Sequence, residues 1–299
     1  MSSVRELRRR IKSIKNIAKM TKAMQMVASS KMRRAQERVQ QSQPYAEQLR
    51  QLVARLAQTS EDEKITELEL LQQRPMRVIC MIVITPDRNL CGALPSNINR
   101  KAMAETRSAQ TSHMRSGARP DSSFIAVGKR GRDFIVRTEQ PLLAEFTNYG
   151  DWPALSDATA IARIAVDAFL KQEVDLVLLT YSHYVSTLSQ QPETIQLLPI
   201  QAPTVDKSES RQADDYLYEP DQQRIFAALL PRYIDIQIYQ ALLETAASQQ
   251  SAQMVAMKNA TDNANELVQD LTLVMNKARQ EIITMQLLEI VAGAESFDR

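Results

Sequence analysis

The placement of helix breakers constrains this chain more than any other feature. No glycine precedes Gly92, and Pro44 is the only proline before Pro75. Beyond Pro231 there is no further proline, and Gly293 is the only glycine. Two breaker-free ends thus flank a punctuated middle, the pattern of two long helices around an inserted globular domain. Both ends carry a seven-residue repeat. Leu7, Ile11, Ile14, Ala18, Thr21, Gln25, Ala28, Met32, Ala35 and Val39 recur in alternating steps of four and three. Met257, Ala260, Ala264, Leu267, Leu271, Val274 and Ala278 do the same. Such spacing predicts a seam along each helix. Helices of this length run for roughly 75–85 Å, more than a domain of this size can bury. The two are therefore predicted to lie against each other as an antiparallel coiled coil.

Charge is the second constraint. From Leu7 to Gln36 there is no Asp or Glu, although Lys and Arg keep recurring. A solvated helix usually mixes both signs so that i,i+4 pairs form. Residues 239–299 are acidic on balance, but too weakly to neutralise the first helix. The excess predicts an anionic partner: nucleic acid, a membrane surface or acidic protein. A base-reading protein would pair its cations with a zinc motif or an aromatic platform, and neither accompanies this helix. A membrane-surface helix would carry Trp, Phe or Leu on its apolar face, where this one has Met and small residues. No apolar run approaches the roughly 20 residues needed to cross a bilayer. The N-terminal cations have no apolar run behind them, so no secretory signal is expected, and they belong to the helical repeat, so no transit peptide is expected. An acidic protein socket fits best, with a basic coiled coil that binds nucleic acid as the alternative.

The middle reads as α/β. Apolar runs at 76–85, 123–128 and 174–182 predict strands covered on both faces, with a fourth at 193–200. Segments 96–110, 129–138 and 154–172 predict helices between them, the last capped by Ser156 or Asp157. Strands alternating with helices imply a small, Rossmann-like, mostly parallel sheet. The expected organisation is an N-terminal shaft helix over 1–58, a linker over 59–75 and the α/β domain over 76–205. A mobile loop is expected at 106–123. A linker and foot follow at 206–220, and the C-terminal shaft helix runs over 221–299.

Several motifs in the middle invite a chemical reading. "GKRG" (128–131) follows a strand and opens a helix, where phosphate can bind. It has neither the Gly-x-Gly-x-x-Gly spacing nor a Gly-Lys-Ser/Thr ending, so no nucleotide fingerprint exists. "DRNLCGAL" (87–94) holds a cysteine, but His113 and His183 are the only histidines, one in the polar loop and one at a strand-end turn. A nucleophilic pair is not expected. Cys80 is read as a core residue and Cys91 as a loop thiol. No cofactor or metal site is expected.

"MTKAMQMVASSKMRRAQ" (20–36) resembles the opening signature of the gamma subunit of F-type ATP synthases. "RYIDIQIYQALLETAASQQSAQMVAM" (232–257) and the stretch from Met254 to Ser296 resemble its closing helix, and "YLYEP" (216–220) its foot. The loop "TPDRNLCGALP" (85–95) departs from the family, with Asn89 and Ala93 in place of glycines and Pro95 in place of asparagine. The resemblance implies a central rotor without an active site of its own, coupling proton-driven rotation of a membrane c-ring to the catalytic beta subunits. It implies alpha, beta and epsilon subunits as partners and a peripheral place on the cytoplasmic face of a bacterial cell membrane. By the same resemblance Met24, Arg33, Arg34, Arg279, Gln280 and Thr284 are the shaft positions that meet acidic catch loops. Tyr216, Tyr218 and Glu219 would lie at the foot.

Overall fold

The computed structural model describes residues 4–59, 69–112, 119–148, 150–201 and 222–297. Helix α1 spans Val4–Thr59, and the last helix, α5, spans Gln222–Phe297. Between them come β1 (Val78–Ile84), α2 (Leu94–Ser112), β2 (Asp121–Val127), α3 (Lys129–Arg137) and β3 (Leu142–Phe146). They are followed by α4 (Leu155–Leu170), β4 (Leu176–Tyr184) and β5 (Gln190–Leu198). The chain forms two compact units, Met1–Ser29 with Gln253–Arg299, and Ser30–Ala252.

In the second unit the sheet order is β3-β2-β1-β4-β5. The first four strands are parallel and β5 returns antiparallel to β4. The mostly parallel Rossmann-like sheet is therefore as expected, with one strand more than the sequence predicts. Successive residues of β1 point to opposite faces. Met81 and Val83 pack with Phe124 and Ala126 beneath α2 and α3, while Cys80, Ile82 and Ile84 pack toward α4. That second face is also covered by Val53 and Leu56 of α1 and by Phe226, Leu230, Ile234 and Ile238 of α5.

The unpredicted strand is β3, whose residues alternate between half-buried and exposed. Helix α2 runs on to Ser112 and so includes the first part of the stretch read as a polar loop. The N-cap of α4 is Ala154 rather than Ser156 or Asp157. Asp157 still serves the helix end, because its Oδ2 accepts the Ala154 N–H at 2.8 Å.

Polar contacts fasten the long helices to this sheet. Nδ1 of His183 lies 2.6 Å from Oε2 of Glu244, and Ser248 donates to the Ser182 carbonyl at 3.2 Å. Lys31 and Gln250 both reach Asp151, at 2.5 and 3.1 Å. Arg38 stacks 4.6 Å above the Trp152 ring.

Candidate functional site

The first unit joins the two helix ends through a hydroxyl pair, Thr21 to Thr261 at 2.7 Å. Only residues before Ser30 and after Ala252 make up this unit, so the helices run antiparallel. Stepping outward from that pair sets Ala18 against Ala264, Ile14 against Val268, Ile11 against Leu271 and Leu7 against Met275. All eight are buried or half-buried. The seam on α1 is thus the predicted one, whereas that on α5 differs by one position in places. Leu267 and Val274 are 46% and 53% exposed, and Val268 and Met275 take their places.

The same register has an end. Val4 falls opposite Ala278, and past that point no described residue of α1 accompanies α5. From Arg279 to Val291 every side chain is exposed, including Leu287, Leu288, Ile290 and Val291 at 57–68%. Arg279, Gln280 and Thr284 lie on this single helix. Gln280 and Thr284, four residues apart, share one face of it. Met24 is half-buried beside the seam, about 30 Å along the helix axis from Arg279. Arg33 and Arg34 belong to the other unit and are exposed, Arg33 making a loose 3.7 Å pair with Glu37. Tyr216, Tyr218 and Glu219 lie outside the described residues.

Several cations along the N-terminal part of α1 remain in water. Arg8, Arg9, Lys12, Lys15 and Lys19 are exposed and form no ion pair among the described residues. No described ion pair joins α1 to α5, so the acids of α5 do not neutralise the seam's flank. The seam is lined by apolar and small side chains, and the charges face outward.

The motifs of the α/β domain are engaged internally. At "GKRG" the Lys129 N–H donates to Asp87 Oδ1 at 2.9 Å, and the Gly131 N–H to Thr85 Oγ1 at 2.7 Å. Asp87 Oδ2 also accepts the Asn148 N–H at 2.9 Å. The donors that a phosphate would need at this helix start already have protein acceptors. Cys91 lies in the loop before α2, as expected, but is buried there, its Sγ 3.6 Å from the Arg88 carbonyl oxygen. Burial raises the pKa of both thiols, that of Cys80 to about 12. His183 sits within β4 and not in a turn, and His113 lies outside the described residues. No group of metal-ligating side chains exists among the described residues. Nor is any described helix long and apolar enough to cross a membrane.

A family model described as ATP synthase matches residues 3–297. The chain is 44% identical to the ATP synthase gamma chain of Dehalococcoides mccartyi, covering 98% of this chain and 99% of the relative. It is 46% identical to that of Herpetosiphon aurantiacus over the whole of both. The chain belongs to the ATP synthase gamma family. Its fold also resembles a chain of the Euglena gracilis mitochondrial ATP synthase in an OSCP/F1/c-ring structure. That likeness has a TM-score of 0.64 at 18% identity, covering 98% of this chain and 94% of the other. A chain of the Tetrahymena thermophila central stalk and c-ring gives 0.58 at 23% identity, covering 81% and 99%.

The loop over 85–95 is accommodated without glycine at positions 89 and 93. The residues with left-handed backbone there are Leu90 (φ 78°) and Gly92 (φ 61°), not Asn89 or Ala93. Substituting those two positions therefore adds no backbone strain. Pro95 falls in the first turn of α2, where its missing N–H has no intrahelical acceptor to lose.

Proposed function

We propose that this gamma-family chain is the rotor subunit of a proton-translocating F-type ATP synthase and carries no active site itself. Its paired helices turn inside a ring of alternating alpha and beta subunits. Its foot, at Tyr216, Tyr218 and Glu219, meets the epsilon subunit and the c-ring on the cytoplasmic face of a bacterial membrane. The observation that carries this reading is a coiled coil whose α1 helix is cationic and free of acids from Leu7 to Gln36, and which ends in a single uncovered helix. Exposed apolar side chains from Leu287 to Val291 form a contiguous surface, and such surfaces are covered in a working assembly. A collar of surrounding subunits covers them.

Coupling then follows from asymmetry. A rotating shaft whose two sides differ favours a different conformation of each catalytic subunit in turn, through unequal contact. The same unequal contact regulates the ATPase rate. Loose electrostatic attraction suits this task, because a deep contact minimum at one angle would stall rotation. Met24, Arg33, Arg34, Arg279, Gln280 and Thr284 are the positions through which acidic loops engage the shaft. The nucleic-acid alternative gains no support from α1, which has Tyr45 as its only aromatic residue.

A tagged full-length chain expressed in its host and recovered under mild salt tests this reading. Co-purification of nucleotide-binding alpha and beta subunits is expected. Recovery of nucleic acid in their place would overturn it.

A further inference from the structure

Helices α2 and α3 lie side by side on one face of the sheet and enclose an open cleft of about 730 Å³. Four arginines line it: Arg100 and Arg107 on α2, Arg130 and Arg137 on α3. None of them is in an ion pair among the described residues. Asp133, a carboxylate of the same cleft, is already held by Arg132 at 2.8 Å. The excess positive charge is therefore local and uncompensated.

The spacing of those charges limits what they can bind. On each helix the two arginines are separated by two turns, about 10 Å along the axis. Asn99, 5% exposed, donates through Nδ2 to the Arg130 carbonyl at 3.4 Å. That contact brings Arg100 level with Arg130 and, by equal spacing, Arg107 level with Arg137. The cations thus stand as two pairs, one at each end of the cleft. Between them lie the half-buried side chains of Met103 and Phe134, the Phe134 ring 5.7 Å from the Arg137 guanidinium.

A single phosphate spans only a few ångströms and cannot engage both ends. An extended peptide advances about 3.3 Å per residue, so acids three residues apart meet both arginine pairs. An apolar side chain between them meets Met103 and Phe134. The floor adds a second indication. Asn99 Oδ1 and Arg130 Nε are buried there without hydrogen-bond partners. Unpaired buried groups of this kind are uncommon and costly. An acceptor and a donor together match a peptide group, whereas a fully ionised phosphate has no hydrogen for Asn99.

We propose that the α2–α3 cleft is a docking site for an extended acidic segment of a partner protein. Carboxylates pair with the arginines at each end, and a central apolar residue rests on Met103 and Phe134. As a carboxylate draws the Arg130 guanidinium outward, the floor opens to the segment's main chain.

The test uses the full chain at low salt and a fluorescent blocked peptide of alanines carrying two glutamates three residues apart, with a central leucine between them. Arg107→Gln with Arg137→Gln should weaken binding about tenfold, since both side chains are exposed and their loss leaves the fold intact. Arg8→Gln with Arg9→Gln, on the equally basic α1, should leave affinity unchanged. Replacing the central leucine by glycine should weaken binding several-fold. Equal losses in the two double variants would mean unspecific attraction and overturn the proposal. So would failure to bind at low salt. Inorganic tripolyphosphate or single-stranded DNA binding the cleft more tightly than the peptide, with the same arginine dependence, would overturn it in favour of a phosphate ligand.

Discussion

Thr21 and Thr261 face each other across the coiled coil with their hydroxyl oxygens 2.7 Å apart. Each also has a carbonyl of its own helix in reach, Ala18 at 3.1 Å and Met257 at 2.8 Å. Each hydroxyl has one proton, so one donates across the seam while the other donates back to its helix. This polar pair fixes the register that leaves α5 alone beyond Ala278.

Thr261→Val should therefore lower stability by about 1 kcal/mol, because it leaves the Thr21 hydroxyl without its cross-helix partner. Thr21→Val with Thr261→Val should recover most of the loss, as both polar groups leave the seam together. Thermal melts of the isolated chain measure both. A double variant less stable than the sum of the singles would contradict the assignment.

The long helices and the parallel sheet were legible because each depends on a local, repeated pattern. What escaped depended on partners. Leu267 and Val274 are conspicuous apolar residues, yet the register set by the Thr21–Thr261 pair places Val268 and Met275 against Ile14 and Leu7 instead. Strand β3 is short, lies at the sheet edge and carries Glu145 among its outward residues, so it lacks the continuous apolar run of β1. The roles of Asp87, Thr85, Glu244 and Asp151 rest on contacts between residues far apart in sequence, which no spacing rule reveals. Arg279, Gln280 and Thr284 were accessible only through the family resemblance. Their position beyond the paired seam is a structural finding.

Gly128 has φ 93°, and a Cβ there would lie 1.9 Å from the Thr85 carbonyl oxygen. Gly128→Ala should cost about 3 kcal/mol and lower the melting midpoint by roughly 5 °C or more. Gly150→Ala is the control. It shares a positive φ but has open space around it, so only the smaller backbone cost should appear.

Glu244 gives the fold a pH dependence. Burial raises its pKa above the ordinary 4.5, against the opposing hydrogen bond from His183. Glu193 and Tyr181 face the same cluster, Glu193 lying 3.9 Å from His183. A raised carboxyl pKa favours the folded state fully below 4.5, and that contribution is lost as pH rises through the raised value. Glu244→Gln keeps an acceptor for His183 without a charge. Its stability relative to wild type should thus increase between pH 4 and pH 7. A constant difference, followed by chemical denaturation, would remove Glu244 from this role.

Arg279→Leu should slow turnover of the assembled complex and change dwell lifetimes about tenfold, as expected for a lost charge-assisted hydrogen bond. Arg279→Lys should recover only part, since an ammonium lacks the planar fork. The isolated chain should melt as wild type. Unaltered dwells would return Arg279 to solvent.

This chain is expected to rotate within a catalytic ring. Leu188, 82% exposed in the β4–β5 turn, offers a place for a reporter, because both native thiols are buried. Leu188→Cys can therefore be labelled selectively with a gold particle and followed by single-molecule microscopy. The ring is held to the surface through its alpha and beta subunits. With ATP present, the particle should turn in one direction in discrete steps, and stop when ATP is removed. A particle that stays fixed while the same complexes hydrolyse ATP would contradict the account.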